Sequence, residues 1–165
     1  MTARHLYIVD YGSGNLRSVQ KAFEHVGVDV VVGADVAEMR RAAGLVLPGV
    51  GAFGAAVRQL EQRGLVEALV ERVEAGVPFL GVCLGLQLLF EGSEEDPGAC
   101  GLGLVRGDVR ALPERVKVPH IGWNQAELCR ESDLFEGIPD STAFYFVHGY
   151  AVVPRSPSAV LTMTD

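Results

Sequence analysis

Val77-Pro78-Phe79-Leu80-Gly81-Val82-Cys83-Leu84-Gly85-Leu86-Gln87-Leu88-Leu89-Phe90 is the stretch that decides how this chain is read. Val77 to Val82 is a continuous apolar run of strand length, and Gly85 to Phe90 opens a helix. Continuous apolar character belongs to a strand buried on both faces, as in a parallel sheet covered by helices. Between the two elements stands Gly81-x-Cys83-x-Gly85. A tight strand-to-helix turn pushes its middle side chain out at the carboxyl edge of the sheet, and crowding calls for small residues two positions to either side. The positive end of the following helix favours thiolate, and the amide N–H of Leu84 then lies where an oxyanion would form. Taken alone, the pattern fits two readings: a nucleophilic cysteine, and a structural cysteine buried in an apolar strand.

Outward from this stretch the first half alternates strand and helix. Leu6 to Val9 reads as a buried strand ending at Asp10, with Gly12 and Gly14 in the turn. Leu16, Val19, Phe23 and Val26 recur at helical spacing up to Gly27. Val28 to Val32 is a second strand, residues 35–42 a short helix, and Leu45 to Leu47 a third strand cut off by Pro48. Phe53, Ala56, Val57 and Leu60 share one helical face; Leu65, Leu69 and Val73 share another, ended by Gly76. Beyond Gly101 the chain breaks into short β-like pieces at 103–111, 115–119, 124–128, 142–147, 150–153 and 159–162, which reads as mixed or antiparallel sheet added to the parallel core. There is no repeat, low-complexity tract or linker, so residues 1–165 read as a single α/β domain.

Composition narrows the function. The net charge of −7 argues against a nucleic-acid binder, which shows a basic face. The three cysteines, Cys83, Cys100 and Cys129, are far apart and form no C-x-x-C, so no metal site is expected. Their odd number, with no signal peptide, fits a reducing cytoplasm. The longest uncharged stretches, 42–57 and 77–90, are too short and too broken by Pro and Gly to span a bilayer.

Pro48-Gly49-Val50-Gly51-Ala52-Phe53-Gly54 follows the third strand directly. Its glycines allow the backbone to present N–H groups to an anion, as a second arm of an oxyanion hole, and they equally fit a plain strand-to-helix turn. A phosphate loop is disfavoured, because no Gly-Lys-[Ser/Thr] follows. Asp10-Tyr-Gly-Ser-Gly-Asn15 fails as a dinucleotide fingerprint for want of a third glycine in place.

GVCLGLQLLFEGSEE (81–95), PGVGAFG (48–54), DYGSGNLRSV (10–19), PHIGWN (119–124) and YFVHGY (145–150) together resemble the class I (triad) glutamine amidotransferases, specifically the glutaminase subunits of imidazole glycerol phosphate synthases. The resemblance runs from about residue 6 to the end and implies a flavodoxin-like, mostly parallel sheet with helices on both faces. It implies that Cys83 attacks the side-chain amide of L-glutamine, that ammonia leaves, and that water hydrolyses a glutamyl thioester. It assigns Val50, Gly51 and Leu84 to the oxyanion hole, with a peptide flip of the oxyanion strand driven by the partner in some relatives. Gln87, Glu95, Gly149 and Tyr150 match positions that hold glutamine. Asn15 and Trp123 match positions facing the partner, a (β/α)8-barrel cyclase. There the ammonia reacts with a phosphoribulosyl-formimino aminoimidazole carboxamide ribonucleotide to give imidazole glycerol phosphate and aminoimidazole carboxamide ribotide. No cofactor is implied. Read without the resemblance, Asn15 is a helix cap, Gln87 an exposed helix residue, Glu95 part of a solvated acidic turn and Trp123 a core residue.

The family's general base lies in a His-Pro-Glu segment that these residues do not contain, and His5, His25, His120 and His148 do not match it. His148 is the remaining candidate for a substitute base. The domain is therefore expected to lack its C-terminal part. A base-less, catalytically impaired binding module and a different cysteine hydrolase on a similar sheet stand as the alternatives.

Overall fold

A computed structural model describes residues 5–164. Strand β1 (Leu6–Val9), helix α1 (Leu16–His25), β2 (Val30–Gly33), α2 (Val36–Arg41), β3 (Gly44–Gly49), α3 (Phe53–Gln62), α4 (Val66–Glu74), β4 (Phe79–Cys83) and α5 (Leu84–Gln87) form the first half. The four strands make one sheet in the order β2-β1-β3-β4, every neighbour parallel. From β1 the chain steps outward to β2 and then back past β1 to β3. Right-handed crossovers in opposite directions place α1 and α2 on opposite faces.

Parallel partners point their side chains the same way, so the register sorts the sheet into two faces. Tyr7, Val9, Leu45 and Leu47 face the main core, where they meet Met39 of α2, Phe53, Ala56, Val57 and Leu60 of α3, and Leu65, Ala68 and Leu69 at and within α4. The helical spacing read from the sequence thus lands on buried faces. Each such fully buried large side chain contributes about 1.5–3 kcal/mol. Asp35 caps α2 by accepting the N–H of Glu38 at 2.9 Å, and the Tyr7 hydroxyl accepts the N–H of Asp35 at 2.8 Å.

The other face is unevenly covered. Ile8 and Val46 are buried there, whereas Leu80 and Val82 on β4 are more than a third exposed. Helix α1 contributes no fully buried residue. The expectation of a strand sealed on both sides holds for β1 and β3 and fails for β4.

Beyond α5 the chain forms β5 (Gly92–Ser93), β6 (Gly107–Ala111), β7 (His120–Leu128), β8 (Thr142–His148), β9 (Tyr150–Pro154) and β10 (Thr162–Met163), with 3-10 turns at Asp133–Phe135 and Pro157–Ala159. β7 and β8 make an antiparallel ribbon from His120↔His148 to Ala126↔Thr142, with β10 added to β7. β9 pairs antiparallel with β6, and β5 parallel to it. The mixed, largely antiparallel character expected of this half is what the structure has, but several boundaries differ. Residues 115–119 form no strand: Val116 and Val118 alternate with charges, yet both are about half exposed and pair with nothing in a ladder. The strand instead begins at His120, where Gly122 and outward-facing Ile121 and Trp123 disguise the alternation. The piece expected at 159–162 gives way to a 3-10 turn begun by Pro157 and a two-residue strand. Among the described residues no helix is long and apolar enough to cross a membrane.

Candidate active site

Cys83 ends β4 and caps α5 with φ 56° and ψ −116°. A non-glycine residue with positive φ is uncommon and costs on the order of 1–3 kcal/mol, sustained here by the packing around it. That packing explains the flanking glycines. A Cβ on Gly85 would overlap the carbonyl of Leu47, and one on Gly81 would come within 2.7 Å of the backbone of Leu86. The turn is a nucleophile elbow in shape, and the thiol it presents is exposed. The buried-cysteine reading is thereby excluded.

One expectation about the elbow is corrected. The helix after Cys83 spans only Leu84–Gln87 and then continues as turns, rather than running to Phe90. Beyond Gln87 the carbonyls of Leu88, Leu89 and Phe90 accept the N–H groups of Leu102, Val105 and Gly103 instead of continuing the helix, so the dipole behind the sulfur is that of a single turn. No side chain caps that turn, which leaves its first N–H groups, Leu84's included, without intrahelical acceptors.

β3 runs beside β4 with Pro48 opposite Val82 and Gly49 opposite Cys83, so PGVG emerges next to the thiol. A Cβ on Gly49 would lie 2.6 Å from the Tyr11 hydroxyl and 2.9 Å from Leu84 Cβ. Gly51 is different: it has φ +94° and open space around it, so its conformation and not its size requires glycine. Val50 is exposed, and its carbonyl accepts the Ser13 hydroxyl at 2.7 Å. Ser13 was not singled out from the sequence. No local pattern signals a bond across this separation, and only the meeting of β1 and β3 in the sheet creates it.

Glu95 Oε2 accepts the N–H of Phe53 at 2.8 Å, which fastens the end of the glycine loop to the acidic turn. Glu95 is thus no free solvated carboxylate. Gln87 Nε2 donates to the Tyr150 carbonyl at 3.5 Å, so β9 reaches α5 one helical turn from Cys83. Gly149 joins β8 to β9, and its carbonyl accepts the N–H of Leu112 at 2.9 Å. Val50, Gly51, Leu84, Gln87, Glu95 and Tyr150 therefore belong to segments that converge on the elbow. Asn15 caps α1, accepting the N–H of Ser18 at 3.2 Å. Trp123 is 73% exposed, stacked edge-on to Tyr145 at 5.6 Å, and so is not a core residue.

Below the loop lies Tyr11, wholly buried. Its hydroxyl makes no hydrogen bond of good geometry, although Ser13 is near enough to offset part of the effect of burial. Burial pushes the phenol up to about 12, and the charge of a Cys83 thiolate adds to the rise. His148 does not serve Cys83: its ring nitrogens lie 3.0 Å from the Tyr150 carbonyl and 3.0 Å from His120. Among the described residues no imidazole hydrogen-bonds to Cys83, and no cluster of three or more His, Cys, Asp or Glu side chains is arranged to hold a metal. Two surface hollows, one lined by Val57, Leu60, Leu88 and Cys100 and one by Leu104, Arg106, Arg155 and Pro157, do not include Cys83.

Comparison with known proteins agrees with this architecture. The family "Glutamine amidotransferase class-I" matches residues 7–165. "Imidazole glycerol phosphate synthase subunit HisH" of Moorella thermoacetica is 52% identical over 162 residues, covering 98% of this chain and 77% of that protein. The HisH subunit of Aquifex aeolicus is 54% identical over 159 residues, 96% of this chain and 77% of its own. A crystal structure of a glutamine amidotransferase superposes with a TM-score of 0.75 at 19% identity, over 94% of this chain and 78% of that one, which speaks to the fold alone. The chain belongs to the class-I glutamine amidotransferase family, as a glutaminase-type subunit akin to the HisH subunits of imidazole glycerol phosphate synthase.

Proposed function

We propose that this chain, acting as one amidotransferase domain, hydrolyses L-glutamine at Cys83 and delivers the ammonia to a (β/α)8-barrel cyclase with which it forms a cytoplasmic heterodimer in histidine biosynthesis. The observation that carries the reading is the strained, exposed elbow at Cys83, built beside a glycine-rich strand end. The sulfur attacks the side-chain carbonyl carbon of glutamine, and the C=O pair moves onto oxygen. The N–H of Leu84, with those of Val50 and Gly51 once the strand has turned, stabilises that charge. Collapse breaks the C–N bond, and the nitrogen leaves as ammonia carrying the proton that the thiol gave up on attack. Water then cleaves the glutamyl thioester, giving glutamate and restoring the thiol. The balance is glutamine plus water to glutamate plus ammonia.

Gln87 and Glu95 hold the substrate glutamine, and Gly149 and Tyr150 grip its α-amino-acid end. The Phe53 bond leaves the second oxygen of Glu95 for an ammonium group. Asn15 and Trp123 face the cyclase, a role supported by the exposure of Trp123. In the protein assembled with its cyclase, Cys83→Ala is expected to abolish glutamine-dependent cyclisation and to leave cyclisation from added ammonium salts intact. Loss of both activities would overturn this division of labour.

A further inference from the structure

Four polar groups form a row between the ribbon and the elbow. His120 on β7 and His148 on β8 are direct cross-strand partners, with His120 Nδ1 3.0 Å from His148 Nε2. His148 Nδ1 is 3.0 Å from the Tyr150 carbonyl, and Gln87 Nε2 donates to the same carbonyl at 3.5 Å. Ala111, the register partner of Tyr150 on β6, gives its N–H to Glu94 Oε2 at 2.9 Å, while the Tyr150 carbonyl collects these two side-chain donors.

With both rings neutral, the row admits one arrangement of protons. A carbonyl oxygen only accepts, so His148 carries hydrogen on Nδ1 and is a donor there. Its Nε2 then bears the lone pair and accepts, so His120 carries hydrogen on its own Nδ1. The His120 ring is held in place by stacking on Phe146, with centroids 5.1 Å apart and planes 18° from parallel. Its neighbours Ile121 and Trp123 lie exposed, and their cross-strand partners Val147 and Tyr145 are exposed with them.

We infer that His120 and His148 are positioning residues of the glutamine site: through the Tyr150 carbonyl they fix the side chain of Gln87, and they tie that position to strand β7. The inference rests on the reading of Gln87 and Tyr150 as glutamine contacts. It separates the two histidines from proton transfer. Their task is to hold a carbonyl on which the Gln87 amide would otherwise be the one side-chain donor.

The test is a set of glutaminase assays on the protein assembled with its cyclase, together with imidazole 15N spectra of the free protein at mildly alkaline pH. His120→Phe keeps the stack on Phe146 and removes the donor. It should raise KM for glutamine about fivefold with kcat nearly unchanged, the size expected for one lost hydrogen bond. His120→Asn, whose amide nitrogen stands near the position of Nδ1, should restore most of the loss. The spectra should show both rings protonated on Nδ1. A His148 ring protonated on Nε2, or a His120→Phe enzyme with unchanged KM, would overturn the inference. Gln87→Ala distinguishes the two levels of the argument. If it leaves KM untouched, the glutamine reading of Gln87 falls and this inference with it. If it raises KM while His120→Phe does not, only the role of the histidines falls.

Discussion

Up to Phe90, the large apolar side chains of β3 and α3 and most of those of β1 are out of water; beyond Phe90, among the described residues, Val109 and Ala126 are the buried hydrophobic residues, while Ile121, Trp123, Phe144, Tyr145, Val147 and Met163 are all exposed. The first half is held by side-chain packing between layers, the second by backbone ladders such as β7–β8 and β6–β9. The elbow belongs to the packed half, and Tyr150 reaches it from the laddered half. A strained turn survives only where its surroundings hold it, and at the elbow Gly81 lies against the backbone of Leu86 and Gly85 against that of Leu47. A surface that meets substrate or another protein must instead leave its apolar groups uncovered.

The contrast is sharpest under a single added methyl group. Gly85→Ala drives a Cβ into the Leu47 carbonyl, where α5 lies directly against the backbone of β3. It is expected to cost more than about 3 kcal/mol in denaturant unfolding. Trp123→Ala removes a far larger but exposed side chain and should change stability by no more than about 0.5 kcal/mol. Equal costs would erase the distinction between the halves.

A middle-sized effect tests the strain itself. Cys83→Gly removes the penalty for φ 56° at the end of β4. It should stabilise the fold by about 1–2 kcal/mol after allowing for the freer unfolded chain. A destabilised variant would mean that the elbow stores no strain.

The smallest effect concerns the buried phenol under the glycine loop. Tyr11→Phe deletes a hydroxyl without a well-made hydrogen bond and should stabilise by about 1 kcal/mol at neutral pH. The phenol is raised from 10.0 to about 12 in the folded state. Its contribution is therefore fully present below pH 10 and is lost as pH climbs through about 12, because the unfolded chain releases its proton first. The variant should show a shallower alkaline decline. Some slope will remain, because burial raises Tyr7 as well. An unchanged decline would place the alkaline sensitivity elsewhere.

The two halves also differ in how far they could be read from residues alone. In the first, apolar spacing and glycine punctuation were set by burial, so α3, α4 and the strand before Cys83 followed from their patterns. In the second, the period-two signal is inverted, since Ile121 and Trp123 face out, and a strand was expected at 115–119 rather than from His120. The segments carrying Cys83, PGVG and Gln87 were legible because each is local. The Ser13–Val50 bond and the paired rings of His120 and His148 were not, because both arise only when distant strands are laid side by side. The length of α5 escaped for a third reason: Leu86 to Phe90 is apolar enough for a helix, and it is the distant segment 102–105 that takes up the carbonyls of Leu88, Leu89 and Phe90.

β4 pairs with β3 along one side, and among the described residues its other side has no strand beside it. Its outward side chains Leu80 and Val82 are apolar and partly bare. An unpaired strand edge beside bare apolar groups is a template for addition of another strand. For the described residues taken by themselves the consequence is colloidal: the strand that ends in the reactive thiol also carries the edge at which another chain would add at high concentration. The net charge of −7 is the force that opposes such sticking. Solubility should therefore fall as salt screens that charge or as pH approaches the isoelectric point of about 5.1.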